Sequence, residues 1–178
     1  MEVINLRLEG LKLLKPKVYT DERGFFLETY QQATYNLHGI LEPFVQDNQS
    51  FSKQGCVRGM HFQSTPGQAK LVRVVSGKIW DVVVDVRPHS KTFGQWHAEI
   101  LDAENHHQFY IPVGFAHGFC ALMDSHVAYK VSTPYNPSTE KGFRWNDPDI
   151  KIPWPVGNPL VSLRDQESSY FEELFSKQ

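Results

Sequence analysis

Cysteine is scarce in this chain. The two present, Cys56 and Cys120, are too few for a disulfide scaffold and too far apart for a Cys-x-x-Cys metal knuckle. As small apolar side chains they suit a reducing compartment, and a cytoplasmic location is the expectation. A surplus of positive charge is also missing: 18 Lys and Arg stand against 20 Asp and Glu, a formal net charge of −2. No global field exists to hold nucleic acid or an anionic membrane, so neither is expected as a partner. No apolar run approaches the roughly 18 residues of a membrane-spanning helix. The first ten residues lack the basic head and apolar stretch of a secretion signal. With 40% hydrophobic and 21% charged residues, 12 Gly and 11 Pro, the composition excludes a disordered tail, a collagen repeat and a coiled coil. Internal repeats, low-complexity runs and linkers are absent. The 178 residues read as one domain over 1–178, able to bury roughly 70% of its unfolded surface.

What is present is β-strand pattern. Lys70–Val75 and Ile79–Val86 are β-branched runs separated by Ser76-Gly77-Lys78, which predicts a hairpin. In the second run Asp81, Val83 and Asp85 share one face, while Trp80, Val82, Val84 and Val86 share the other. Further strands are predicted over Leu11–Val18, Phe44–Ser50, Val57–Gln63, Gly94–Leu101, Gln108–Val113, His117–Met123 and His126–Ser132. Helices are few: Thr29–Leu37, and Asp165–Phe175 with an apolar stripe of Tyr170, Phe171, Leu174 and Phe175. Tyr135 to Pro159 carries five prolines and reads as an extended loop packed by Trp145 and Trp154. Many short strands bounded by turns predict an all-β sandwich or barrel with a few short peripheral helices.

Several residues invite chemistry. Arg58 and His61 lie three apart on one predicted strand, so strict alternation would send them to opposite faces unless Gly59 marks a bulge. Taken singly, His61 reads as a structural histidine and Lys70 as a surface lysine. Asp81 and Asp85, inside an apolar strand, need buried partners or a cavity to face. The segment Pro112-Val113-Gly114-Phe115-Ala116-His117-Gly118 is similar to the second metal motif of cupins, the small jelly-roll family. A metal cupin also needs His-x-His followed by a Glu; here the stretch is His61-Phe62-Gln63, and His106-His107 are adjacent and diverge on a strand. A cupin-type jelly roll without metal is the expectation.

Seven motifs then occur in order: Asp21-Glu22-Arg23-Gly24-Phe25-Phe26, Phe44-Val45-Gln46-Asp47-Asn48, Val57-Arg58-Gly59-Met60-His61-Phe62-Gln63, Gln68-Ala69-Lys70-Leu71-Val72-Arg73-Val74, Gly94-Gln95-Trp96, Ile111-Pro112-Val113-Gly114-Phe115-Ala116-His117-Gly118-Phe119 and Trp145-Asn146-Asp147-Pro148. Together, from about Leu11 to Asp165, they resemble the dTDP-4-dehydrorhamnose 3,5-epimerase family. The resemblance implies a jelly-roll homodimer with neither metal nor redox cofactor. It also implies an isomerase acting on dTDP-4-dehydro-6-deoxy-D-glucose at C3 and C5, the carbons flanking the C4 ketone.

Such chemistry needs a base on one face of the sugar, an acid on the other, and a positive charge at the keto oxygen. The resemblance implies His61 as base, Asp165 and Asp81 as carboxylates orienting its imidazole, Lys70 as the cation and Tyr129 as the acid. It implies substrate contacts from Arg23, Glu28, Gln46, Asn48, Arg58, His117, Glu140 and Arg164. Arginine forks suit a diphosphate. Tyr135 either stacks on the substrate or packs. The stretch from His117 to Tyr129 is one residue shorter than the family pattern, which leaves Tyr135 as the second candidate for the acid. Rival readings are an epimerase acting at one carbon only, a metal-dependent cupin such as a dioxygenase, and a non-catalytic sugar-binding jelly roll.

Overall fold

The structure, a computed structural model, describes residues 1–176; residues 177 and 178 of the expected domain lie outside them. The chain opens with strands β1 (Glu2–Asn5), β2 (Lys12–Lys15), β3 (Val18–Asp21) and β4 (Gly24–Leu27), then helix α1 (Gln32–Asn36). Next come β5 (Gln46–Ser52), β6 (Val57–Gln63), β7 (Lys70–Ser76), β8 (Lys78–Asp85) and β9 (Trp96–Asp102). The remainder holds β10 (Gln108–Ile111), β11 (Phe115–Ala121), β12 (Ser125–Val131), β13 (Glu140–Gly142), α2 (Leu163–Glu167) and α3 (Phe171–Phe175).

Two antiparallel sheets face each other as a cupin-type jelly roll. One runs β1-β2-β10-β7-β12-β5 and the other β13-β6-β11-β8-β9, while β3 and β4 form a separate hairpin. Leu13, Val72, Val74, Phe109, Ile111 and Val127 from the first sheet meet Ile79, Val83, Leu101, Phe115 and Phe119 from the second. Each such side chain contributes about 1.5–3 kcal/mol on full burial. The alternation in β8 holds: Val83 joins this inner layer, while Trp80, Val82, Val84 and Val86 face outward under Phe143, Ile150, Ile152 and Phe171.

The hairpin predicted across Gly77 does not form. Strand β7 pairs with β10 and β12, whereas β8 pairs with β9 and β11, so the chain changes sheets at Gly77. Gly77 has φ +87°, and a Cβ there would meet the Asp124 carbonyl oxygen at 2.2 Å. Its Gly thus serves a tight corner between layers.

Other boundaries move for local reasons. Strand Leu11–Val18 splits at Pro16, which has no N–H to offer a ladder, and Gln108–Val113 stops before Pro112. The helix predicted over Thr29–Leu37 shortens to α1, capped by the Gln31 side chain. The helix predicted over Asp165–Phe175 is two short ones. Asp147 Oδ2 captures the Phe171 N–H at 2.7 Å, and Arg144 holds the Ser168 and Ser169 carbonyls, fixing an extended break between α2 and α3. The Tyr135–Pro159 loop contains β13, and Trp154 Nε1 donates to the Trp145 carbonyl at 2.6 Å while its ring packs edge-on to Trp80.

Candidate active site

A cavity of about 530 Å³ opens between the two sheets. It is lined from the first sheet by Gln46 and Asn48 of β5, Lys70 of β7 and Tyr129 of β12, and from the second by Arg58 and His61 of β6 and His117 of β11. Tyr135, Glu140, Arg164 and Asp165 close one side.

Strand β6 brings Arg58 and His61 to the same cavity by carrying one extra residue. His61 pairs with His117 and Arg58 with Phe119, so three steps on β6 match two on β11. Gly59, at φ +117°, makes this possible: a Cβ there would stand 2.6 Å from Gly118 Cα. Gly142 of β13 passes behind the imidazole, where a Cβ would lie 3.1 Å from His61 Cδ2.

His61 Nε2 lies 2.7 Å from Asp165 Oδ1. Helix α2 supplies this carboxylate, its N-cap Ser162 accepting the Asp165 N–H at 3.1 Å. The Gly59 N–H donates to Asp165 Oδ2 at 3.2 Å. Burial alone would raise the Asp165 carboxyl, but the bond and charge of His61 and the donors at Gly59 and Ser162 outweigh it and hold it below the usual range. The carboxylate is thus ionised, and His61 Nε2–H donates to it.

Lys70 is buried, and among the described residues its ammonium has no hydrogen-bond partner. Burial pushes its pKa down to about 8 against the opposing pull of Glu140 and Asp81. Burial raises the Tyr129 phenol, opposed by Arg58 and helped by Glu140, so the hydroxyl keeps its proton at neutral pH. At the rim, Tyr135 Oη donates to Glu140 Oε2 at 3.1 Å, and Arg164 pairs with the same oxygen.

Three expected residues stand elsewhere. Asp81 does not meet His61; both its oxygens bond His117 Nε2, at 2.9 and 3.0 Å. The reason is topological, since β11 lies between β8 and β6. Burial disfavours charge on both partners, raising the Asp81 carboxyl and lowering the His117 imidazole. Arg23 and Glu28 do not line this cavity. Arg23 is solvent-exposed at the tip of the β3–β4 hairpin, paired with Asp21, and Glu28 is exposed just after it. Asp85 lies outside the cavity too, gripped by Arg87, Ser90 and Thr92.

Sequence reasoning passed over Ser50, Gln63, Gln68 and Ser162, which also line the cavity. Two signals were available: Ser50 continues the alternation of Gln46 and Asn48, and Ser162 stands three residues before Asp165 as an N-cap should. Gln63 is spent on structure, accepting from Thr139 Oγ1 at 2.7 Å and donating to the Asn136 carbonyl at 3.2 Å. No three His, Cys, Asp or Glu side chains converge as a metal-ligand set among the described residues, and none of their helices is long and apolar enough to cross a membrane.

A cupin-type jelly roll whose cavity holds a histidine–carboxylate pair, an unpaired buried lysine and a protonated tyrosine belongs to the class equipped for proton transfer. The dTDP-4-dehydrorhamnose 3,5-epimerase family matches residues 5–173. A dTDP-4-dehydrorhamnose 3,5-epimerase of Methanothermobacter thermautotrophicus is 46% identical over 167 residues, covering 92% of this chain and 90% of that one. One from Neisseria gonorrhoeae is 48% identical over 167 residues; they make up 93% of this chain, which spans about half (51%) of that relative's length. The crystal structure of a Legionella pneumophila dTDP-6-deoxy-D-glucose-3,5-epimerase, in complex with dTDP-4-keto-L-rhamnose, superposes with a TM-score of 0.94 at 44% identity, covering 99% of this chain and 95% of that one. The chain belongs to the dTDP-4-dehydrorhamnose 3,5-epimerase family, a family of isomerases.

Proposed function

We propose that the protein converts dTDP-4-dehydro-6-deoxy-D-glucose to dTDP-4-dehydro-β-L-rhamnose by inverting C3 and C5. The observation that carries this reading is the meeting of His61–Asp165, Lys70 and Tyr129 around one cavity. His61, with Nε2–H committed to Asp165, uses its other ring nitrogen to take a proton from a carbon next to the C4 ketone. The electron pair moves onto the keto oxygen, where the Lys70 ammonium stabilises the enolate. Asp165 stabilises the imidazolium that results. Tyr129 then donates its phenolic proton to the carbon from the opposite face, and the configuration inverts. The second carbon repeats the cycle after Tyr129 has regained a proton and His61 has released the one it took.

The nucleotide is held by Gln46, Asn48, Arg58 and Arg164, with Glu140 and Tyr135 at the rim. His117, its Nε2 spent on Asp81, lines the wall beside Lys70. Arg23 and Glu28 reach the site of a second copy in a homodimer. The exposed Tyr19, Phe25 and Phe26 of their hairpin support this, being apolar surface a lone chain would leave in water.

Proton NMR of the substrate with enzyme in heavy water tests the reading. The C3 and C5 signals should vanish as deuterium enters both carbons and the L-configured product accumulates. Exchange confined to C3 would make the protein a one-carbon epimerase, and no exchange at either carbon would leave it without this activity.

A further inference from the structure

A line of titratable side chains crosses the inner face of the second sheet, from the cavity to the sheet's free edge. The strands run β6-β11-β8-β9 in that direction, and β9 is the last of them. His61 of β6 stands opposite His117 of β11 in the register. His117 Nε2 bonds both Asp81 oxygens at 2.9 and 3.0 Å. Asp81 of β8 stands opposite Glu99 of β9. Glu99 Oε1 in turn lies 2.8 Å from Nε2 of His97, two residues back on the same strand and the same face. Asp81 is sealed from solvent, whereas the His97 and Glu99 side chains are 20% and 22% exposed.

Packing does not explain this line. Around it the layer is apolar, with Val83, Leu101, Phe109 and Phe119, and apolar residues in place of buried charges are often neutral or stabilising. Directly opposite residues of an antiparallel pair hold their Cβ atoms about 4.5–5.5 Å apart, so two carboxyl groups confront each other at Asp81 and Glu99. Like charges so placed resist joint ionisation, and a proton held by the pair relieves them. Burial raises the Asp81 carboxyl; His117 and Lys70 oppose the rise and Glu99 adds to it. Epimerisation gives such a line a use. Each inversion loads a proton onto His61 and takes one from Tyr129, and both must be reset while substrate fills the cavity.

We propose that His117, Asp81, Glu99 and His97 form a proton path between the cavity and the solvent at the β9 edge. A proton leaving His61 binds the other ring nitrogen of His117, which releases its Nε2 proton to Asp81. Asp81 hands a proton to Glu99, Glu99 to His97, and His97 to water, so one proton enters the line and one leaves it. Inward traffic runs the same bonds backwards and restores the His117 ring. The path rests on the proton-transfer reading of the cavity, and it gives Glu99 and His97 a part in turnover although neither lines the cavity.

Turnover of dTDP-4-dehydro-6-deoxy-D-glucose by Glu99→Gln and His97→Ala, in dilute phosphate with increasing imidazole, tests the path. Glu99→Gln keeps size and polarity but carries no exchangeable carboxyl proton, and His97→Ala opens the sheet edge where imidazole can enter. In both, kcat should fall several-fold at low buffer with KM unchanged, and added imidazole should restore it, while wild type stays indifferent to imidazole. A merely structural role would not respond to a small proton carrier. His97→Ala, at the edge, carries the test alone should Glu99→Gln fail to fold. Wild-type kcat in dilute buffer, a loss that imidazole does not restore, or a change confined to KM would each overturn the path and leave the epimerase reading standing. Wild-type protein that exchanges neither carbon's proton in heavy water would bring down that reading, and the path with it.

Discussion

Asp165 follows His61 by 104 positions, yet its Oδ1 lies 2.7 Å from the imidazole Nε2. The carboxylate arrives on a five-residue helix, too short to hold itself by propensity. What orients it is the Ser162 side chain accepting the Asp165 N–H at 3.1 Å.

Ser162→Ala should therefore loosen Asp165 and reach the chemistry through His61. The cap itself contributes about 0.5–2 kcal/mol. With a less ordered carboxylate the imidazolium that His61 becomes in the reaction loses support, so kcat should fall several-fold while KM changes little. Ser162→Asp or Ser162→Thr, both capping residues, should restore kcat. A wild-type kcat in Ser162→Ala would make Ser162 a stability residue only.

Lys70 gives activity and stability opposite dependences on pH. Its charge is needed at the enolate, so turnover should fall as pH rises through about 8, where the buried ammonium loses its proton. The unfolded chain keeps that proton to about 10.4. Between the two values the unfolded state binds more protons, so folding stability gains with rising pH, by on the order of 3 kcal/mol across the window. Lys70→Met should be more stable than wild type at pH 7 in urea titrations, lose most of that advantage by pH 10, and be inactive throughout. An advantage that does not shrink with pH would place the charge of Lys70 in water.

Much of this arrangement is legible before folding, and the rest has physical reasons for being hidden. The two faces of β8 follow from period-two alternation, because side-chain direction on a strand is a local property. Which strand pairs with which is not local. Gly77 signals a turn, but a hairpin turn and a corner between sheets use the same residue, so the local pattern alone does not distinguish pairing of Lys70–Val75 with Ile79–Val86 from the change of sheet that occurs. The partner of Asp81 was hidden for the same reason, since only the insertion of β11 beside β8 puts His117 in its way. Only the family resemblance points to Asp165, as nothing in its sequence neighbourhood signals a histidine on β6. Arg23 and Glu28 stand away from the cavity of their own chain, because Arg23 tips a hairpin that projects into solvent and Glu28 follows that hairpin.

That hairpin carries a prediction about assembly. Sedimentation should give about twice the 20.5 kDa chain mass. Arg23→Ala and His61→Asn should each be impaired alone, yet mixing them after dissociation should recover activity. In the mixed dimer the chain with Arg23→Ala keeps its own His61 and receives Arg23 from its partner, so one site is whole; random pairing leaves about a quarter of sites intact. No recovery would mean that each chain builds its site alone.

Chelation should leave turnover intact. The position two after His61, where a metal cupin places its second histidine, is Gln63, whose amide is tied to Thr139 and Asn136. Activity lost in EDTA and restored by a divalent ion would show that a ligand set forms when substrate binds.

The base and the acid can be told apart by following exchange and inversion separately. His61→Asn keeps the size and polarity of the side chain but removes the basic nitrogen, so the enolate should not form and deuterium should enter neither carbon. Tyr129→Phe leaves His61 and Lys70 in place, so a proton can still leave and return on the same face. That variant should keep exchanging deuterium while inversion falls by roughly 10²–10⁴, the range of a lost general acid. Lys70→Ala should suppress both, because without the ammonium the enolate itself is out of reach. If Tyr129→Phe inverts at the wild-type rate, the acid is another group. Tyr135 is then next in line, and its position argues against it: it is 52% exposed, and its hydroxyl is already donated to Glu140. Tyr129, half-buried and with a raised pKa, has the proton to give and the dry surroundings in which giving it is decisive.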